Sequence, residues 1–565
     1  MRRLLLAALA AVLVAPASAS ASDPIMALGD VSAGMRCTAL TVVHGTTITS
    51  FDVEVLEVID RLRPESARIL VRVSGPAIDA TGIGPGFSGS PILCADAAGV
   101  ARNIGAISAG IGEYGGAVGI ATPIETILAE PIQPPSAAPR AAARSPLVGS
   151  RPLVTPLTLS GLSPPIAAMF SSAARRAGRT LLTSVAAPRS TGHEPQPLVP
   201  GAAVAVGETS GDVELGAIGT VAYADGSDVW LFGHSLDGAG RRSLFLQDAY
   251  IHAVVNNPVG AAELSTYKLG AAGNDLGTVT SDGLNALGGR LGALPPRFPV
   301  KVVAHDLDTG RTRTLTTLVA DEGDVGRPAG PSALGVAGAG AVAEAAASVL
   351  RGAPARQTGE MCVRITLREL RSPLHFCEHY AIDGGSPNPL AGVAAADFAQ
   401  ASDLVDGYQF GTLHPTQVEV VLRLRRGLRQ AYLLDATGPS RVKRGQQVEL
   451  RLRLRRTATG VRFTRTIRLR IPRDLGTGGR TIKLAGIDAD AGSDPNEEDS
   501  LSFIFDPDAG DKPPPQTVKE VRDAVKELER YDGVTAMIGG REIRAYRDPD
   551  LRISGDARVA VQVRR

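Results

Sequence analysis

The chain has 565 residues, 44% hydrophobic, 21% charged and 4% aromatic, with a formal net charge of +1. That length corresponds to roughly four domains at ~150 residues each. The near-neutral balance gives no global pull toward nucleic acid or an anionic membrane surface, and 64 glycines with 39 prolines favour turn-rich β-structure over helical bundles.

Residues 1–21, MRRLLLAALAAVLVAPASASA, join two arginines to an apolar run and then to small residues at Ala17, Ala19 and Ala21. This pattern predicts a secretory signal peptide and a secreted, extracytoplasmic product. The other weakly polar run, GVAGAGAVAEAAASVL at 335–350, is interrupted by Glu344 and reads as a soluble helix, so no transmembrane anchor is expected. An oxidising compartment makes two disulfides of the four cysteines, and proximity in sequence pairs Cys37 with Cys94 and Cys362 with Cys377.

Residues 23–131 read as six strands, among them CTALTVVHG, TITSFDVEVLEVI and ARILVRVSG, which suits a small closed barrel. Residues 132–157 are Pro/Ala/Ser-rich and read as a linker. A second series of about six strands fills 158–325, with turn signals at Asp225-Gly226 and Asp282-Gly283. Residues 326–408 read as partly helical, and 409–510 as a β-sandwich-like domain in which apolar residues alternate with arginine. Residues 511–565 read as a small α+β tail, whose helix opens on a Thr517/Glu520 capping box. The expected class is therefore mainly β, with two barrels leading.

The stretch that carries chemistry is GIGPGFSGSPILC, residues 82–94. A serine hydroxyl becomes a useful nucleophile only beside a base and beside donors for the developing oxyanion. Glycines around Ser88 suit such donors, namely the N–H groups of Gly86 and Ser88. A nucleophile elbow of the G-x-S-x-G type needs a helix directly after the serine, whereas Pro91 and the apolar residues after it continue as a strand. Of the eight histidines, His234 stands out because it closes the run DVWLFGHS in the other strand series. His375 and His379 flank Cys377 in HFCEH; a disulfide would consume that thiol, so neither a metal nor another cofactor is implied.

GFSGSP, followed by ILC…IGAISAG…GIATPIETIL, and GTVAYADGSDVWLFGHS together resemble the SpoIVB serine peptidase family. STYKLGAAGNDLGTVTSDGLNALGGRLG resembles the stretch after that family's histidine, so the likeness covers roughly residues 24 to 320. It implies a trypsin-like double β-barrel, serine-bearing barrel first and histidine-bearing barrel second. It also implies endopeptidase activity through an acyl-enzyme, with Ser88 as nucleophile and His234 as base. Phe87 stands where the family has methionine, and the serine precedes the histidine, opposite to the sporulation peptidase itself. The family's acid lies upstream of its serine, where VRVSGP offers none; Asp79 is the nearest acid, with Asp225, Asp228, Asp237 and Asp248 on the histidine's side.

Two readings follow. One is a secreted serine endopeptidase acting on a protein or peptide substrate, without nucleic acid or cofactor. The other is a catalytically inactive cell-envelope binding or structural protein that keeps the peptidase fold. Two weaker features remain. The arginine stripe at 451–470 reads as a solvated sheet face or a contact for an anionic envelope polymer, and Asp488, Asp490 and Asp494 as an acidic loop.

Overall fold

The computed structural model describes residues 23–60, 63, 65–111, 116–134, 150–152, 157–179, 181–184, 192–256, 266–326, 332–352, 354–384, 389–486, 501–505, 514–529, 533–548 and 551–565. The expected signal peptide, most of the linker and the acidic loop lie outside these residues.

Among the described residues the protein is mainly β, as composition and turn content predicted. The first unit contains β1 (Arg36–Val42), β2 (Ile48–Ile59), β3 (Arg68–Ser74), β4 (Pro91–Ala95), β5 (Ala101–Ile111) and β6 (Val118–Pro123). They pair in the order β4-β1-β2-β3-β6-β5, and the β4–β5 ladder closes the barrel. Alternation explains the closure: Phe51, Val53 and Val55 on β2 and Ile69, Val71 and Val73 on β3 all point into one buried core. Cys37 and Cys94 are directly opposed on β1 and β4, and they are disulfide-bonded, as are Cys362 and Cys377.

The second unit contains β7 (Ala203–Gly207), β8 (Glu214–Asp225), β9 (Asp228–Leu231), β10 (Gly240–Asn256), β11 (Thr266–Asp282) and β12 (Leu287–Leu291). Their pairings run β7-β10-β11-β12-β9-β8, and a β7–β8 ladder returns to the start. Val204, Val206, Val221, Val229, Leu231, Leu244, Leu246 and Val279 are buried inside. The two units share an extensive seam. Gly45 of the first exchanges both backbone hydrogen bonds with Ile251 of the second (2.7 and 2.9 Å), and Thr122 Oγ1 donates to the Gly233 carbonyl (2.7 Å).

In two places the sheets cross the sequence-derived boundaries. β13 (Arg297–Asp306) and β14 (Thr312–Ala320), expected at the end of the second barrel, pair with each other in a separate six-stranded sheet. There β13 runs parallel to β17 (Pro415–Arg426), next to β15 (Arg356–Leu367) and β16 (Leu374–Asp383). Helices α1 (Ala333–Leu350) and α2 (Pro389–Asp406) share one apolar core with this sheet. Helix α1 is long and apolar enough to cross a membrane, yet 83% of it is buried in that core. The tail is likewise no separate unit: Gly533–Ile538, Arg541–Arg547 and Asp556–Arg564 join Gly478–Ala485 in one sheet, which packs on Gln447–Arg456 and Arg462–Arg470 of another. In both places the pairing partner lies far away in sequence, beyond the reach of local alternation.

Candidate active site

Ser88 lies on the loop between β3 and β4, wedged into the seam. Phe87 is fully buried in the first barrel and packs edge-on against Phe51, with ring centroids 6.5 Å apart. On the other side the loop lies directly on β8: a Cβ on Gly89 would come within 1.9 Å of the Thr220 carbonyl oxygen. Gly86 and Gly89 also have φ of +94° and +90°, which side-chain-bearing residues rarely adopt. These two glycines are therefore required by close approach and by backbone shape together.

The carbonyls from Gly84 to Ser88 are engaged, Gly84 O by Phe87 N (3.0 Å). Pro85 O accepts from Lys268 N (2.9 Å), Gly86 O from Thr220 Oγ1 (3.1 Å) and Ser88 O from Thr220 N (2.9 Å). Phe87 O accepts twice from Ser90, from its N–H (3.0 Å) and its hydroxyl (2.7 Å). A trans peptide sets its N–H opposite its C=O. Holding Pro85 O and Phe87 O therefore turns the N–H groups of Gly86 and Ser88 away from those anchors. Phe87, Gly89 and Ser90 donate to Gly84, Ile107 and Phe87 carbonyls. The Gly86 and Ser88 N–H groups have no partner among the described residues. Ser88 itself is 0% exposed, and its Oγ makes no hydrogen bond. A buried hydroxyl left unsatisfied costs about 1–3 kcal/mol, which marks the position as one where stability is not the governing demand.

His234 follows β9 through two successive left-handed residues, Phe232 (φ 67°) and Gly233 (φ 69°). Phe232 N donates to the same Thr220 carbonyl that lies against Gly89, and Gly233 lies against the Ile107 carbonyl that accepts from Gly89 N. The structure thus makes the serine and histidine segments neighbours across β5 and β8. It does not join the two side chains by a hydrogen bond. His234 is 8% exposed, and its Nδ1 is 2.7 Å from the Ser235 carbonyl oxygen. That contact makes Nδ1 the N–H nitrogen of the neutral ring and leaves the lone pair on Nε2.

The sequence-derived acids are held by other partners or exposed, Asp237 on the histidine loop itself pairing with Arg242 (3.1 Å). Exposed Asp79 accepts from Gly75 N (2.7 Å) and caps its own turn. Asp228 pairs with Arg290 (2.8 Å), and Asp248 holds His193 (3.0 Å) along with the N–H groups of Gln196 and Asn274. Asp225 is exposed at the β8–β9 turn. The acid that builds the histidine loop is Asp282, read from sequence only as half of a turn signal. Its carboxylate accepts from the N–H groups of Leu236 (2.7 Å), Asp237 (2.8 Å) and Ala239 (3.2 Å). Burial raises the Asp282 carboxyl above its ordinary value, against the pull of those bonds and of Arg242.

Behind that loop, buried Arg242 makes a bidentate pair with Glu322 (2.8 and 3.0 Å) and reaches Asp237 (3.1 Å) and Asp282 (3.8 Å). Burial disfavours its cation, but Glu322, Glu208 and Asp282 outweigh that, so its pKa is raised. Burial pushes the Glu208 carboxyl up to about 8, although Arg242 pulls the other way. Behind the serine loop, buried Lys268 has no such company, and burial pushes it down to about 7. Lys268, Thr220 and Ser90 escaped the sequence reading. The signal that could have found Ser90 is its place two residues after Ser88 in GFSGSP.

Compared with protein-family models, curated proteins and solved structures, the chain matches none.

Proposed function

We propose that the chain is a serine endopeptidase of SpoIVB type, with the two strand units acting as the halves of a trypsin-like double barrel. The observation that carries this reading is the pair of unbonded N–H groups, Gly86 and Ser88, on the loop bearing an unbonded serine hydroxyl. A tight structural turn would use those donors; an oxyanion hole keeps them vacant for substrate. In this reading Ser88 Oγ attacks the peptide carbonyl, His234 Nε2 takes its proton and returns it to the leaving amine, and the two N–H groups hold the oxyanion. The attack needs the Ser88 hydroxyl and His234 to close to hydrogen-bond distance on substrate binding, a tightening common in ligand-free sites.

The complete burial of Ser88 favours a second reading, an inactive binding or structural protein of the cell envelope that keeps GFSGSP as a turn. Turnover of a diverse peptide library, followed by mass spectrometry, separates the two. The enzyme reading expects cleavage that is lost in Ser88→Ala and in His234→Ala; no cleavage by the folded protein, or cleavage surviving both substitutions, contradicts it. Asp79→Asn tests the third member. Because Asp79 caps its own turn, cleavage should change by less than about threefold, whereas a loss on the order of 10⁴ would make it the orienting acid.

A further inference from the structure

We propose that Lys268 is the positioning residue of the Ser88 loop, holding it from behind through its own backbone and through the Thr220 hydroxyl. The inference rests on the serine-peptidase reading above and adds a residue to it.

Lys268 is on β11 of the second unit, 1% exposed. Its Cβ, Cγ and Cδ lie where any side chain on Gly86 would go, since a Cβ there would come within 2.7 Å of Lys268 Cβ. Its N–H holds the Pro85 carbonyl (2.9 Å), which orients the vacant Gly86 N–H. The amine lies over the Phe87 ring, 4.6 Å from the centroid, and contacts Thr41 Oγ1 on β1 (2.5 Å) and Thr220 Oγ1 on β8 (3.3 Å). Thr220 Oγ1 donates onward to Gly86 O, and Thr220 N donates to Ser88 O. The amine, the threonine hydroxyl and the loop carbonyl therefore form one chain of hydrogen bonds reaching across the seam.

A structural role alone does not account for this choice. A buried ammonium is costly unless a carboxylate compensates it, and apolar residues fill such a space more cheaply. Among the described residues no acid forms an ion pair with Lys268; its amine meets the two threonine hydroxyls and the Phe87 ring, and Val254 lies opposite it on β10. An amine there is therefore able to change charge directly behind the peptides that carry the oxyanion donors. Its protonated form adds positive charge where negative charge develops in front.

The test compares wild type with Lys268→Met, Thr220→Val and the double variant. Two quantities are read: hydrogen exchange of the peptide covering 82–94, and the rate of fluorophosphonate labelling of Ser88 across pH 5–10. The proposal expects each single substitution to speed loop exchange and slow labelling by roughly tenfold, as loss of a charge-assisted bond predicts. The double variant should be no worse than either single one, because both residues act in one chain. Wild-type labelling should carry a pH limb near Lys268's ionisation that Lys268→Met lacks. Unchanged loop exchange in Lys268→Met, or additive effects of the two substitutions, would overturn the proposal. A folded wild type that is never labelled sinks the peptidase reading and with it the charge role, while exchange still decides whether Lys268 holds the loop.

Discussion

Two buried cations stand behind the two halves of the candidate site, and they are treated in opposite ways. Arg242, behind the His234 loop, is surrounded by Glu322, Asp237, Asp282 and Glu208. Lys268, behind the Ser88 loop, meets two hydroxyls and a ring face. The paired guanidinium keeps its charge at every accessible pH and fixes a loop. The unpaired amine sits near its ionisation point and makes the other loop responsive. The difference locates rigidity on the histidine side and adjustability on the serine side.

The sharpest way to break this contrast is Arg242→Met. It strands several carboxyls without their cation, and losing one partner of a buried pair costs about 3–5 kcal/mol. Denaturant unfolding should show that loss; a change under about 1 kcal/mol would mean the cluster is not the clamp described here. Lys268→Met should act in the other direction. Lys268 ionises near 7 when folded and near 10.5 when unfolded, so wild-type stability should rise from pH 7 to pH 10 as the unfolded chain gives up the proton that the buried folded amine has already released. Thermal melts of Lys268→Met should lack that rise; a parallel pH profile would contradict an unpaired amine.

Glu208→Gln probes the acidic side of the same comparison. With a folded pKa of about 8 against an ordinary 4.5, the folded protein holds a proton that the unfolded chain has released. Stability should therefore fall as pH rises across that window, and Glu208→Gln should remove the fall, being more stable than wild type at pH 8.5 and equal to it at pH 4. Equal melts at both pH values would show that Glu208 ionises normally. The smallest effect is expected from Ser90→Ala, which deletes one neutral hydrogen bond to Phe87 O, worth about 1 kcal/mol. Its interest is that stability should drop slightly while Ser88 labelling drops several-fold, because the Ser88 N–H loses half of its anchor.

Much of the fold could be read from local pattern. The alternation of Phe51, Val53 and Val55 marked a half-buried strand, proximity in sequence paired Cys37 with Cys94, and Thr517 caps its helix by accepting from Glu520 N. Pattern stopped where partners are remote. Nothing near Val300 indicates that it pairs in parallel with Val418, so one sheet was divided among three expected domains. The candidate site divides in the same way. Ser88, Gly86 and Gly89 announce themselves by type and spacing. Lys268 does not, because a lysine in an alternating strand ordinarily faces water, and only the closed seam shows it buried. Asp282 read as a turn residue, since its three backbone acceptances come from a loop some 45 positions earlier.

The most direct test of the central claim is fluorophosphonate labelling of the purified protein, with the modified peptide mapped by mass spectrometry. The account predicts one adduct on Ser88, absent in Ser88→Ala and strongly reduced in His234→Ala. A well-folded protein that takes no label, or that takes it equally without His234, would contradict an activated serine at this site.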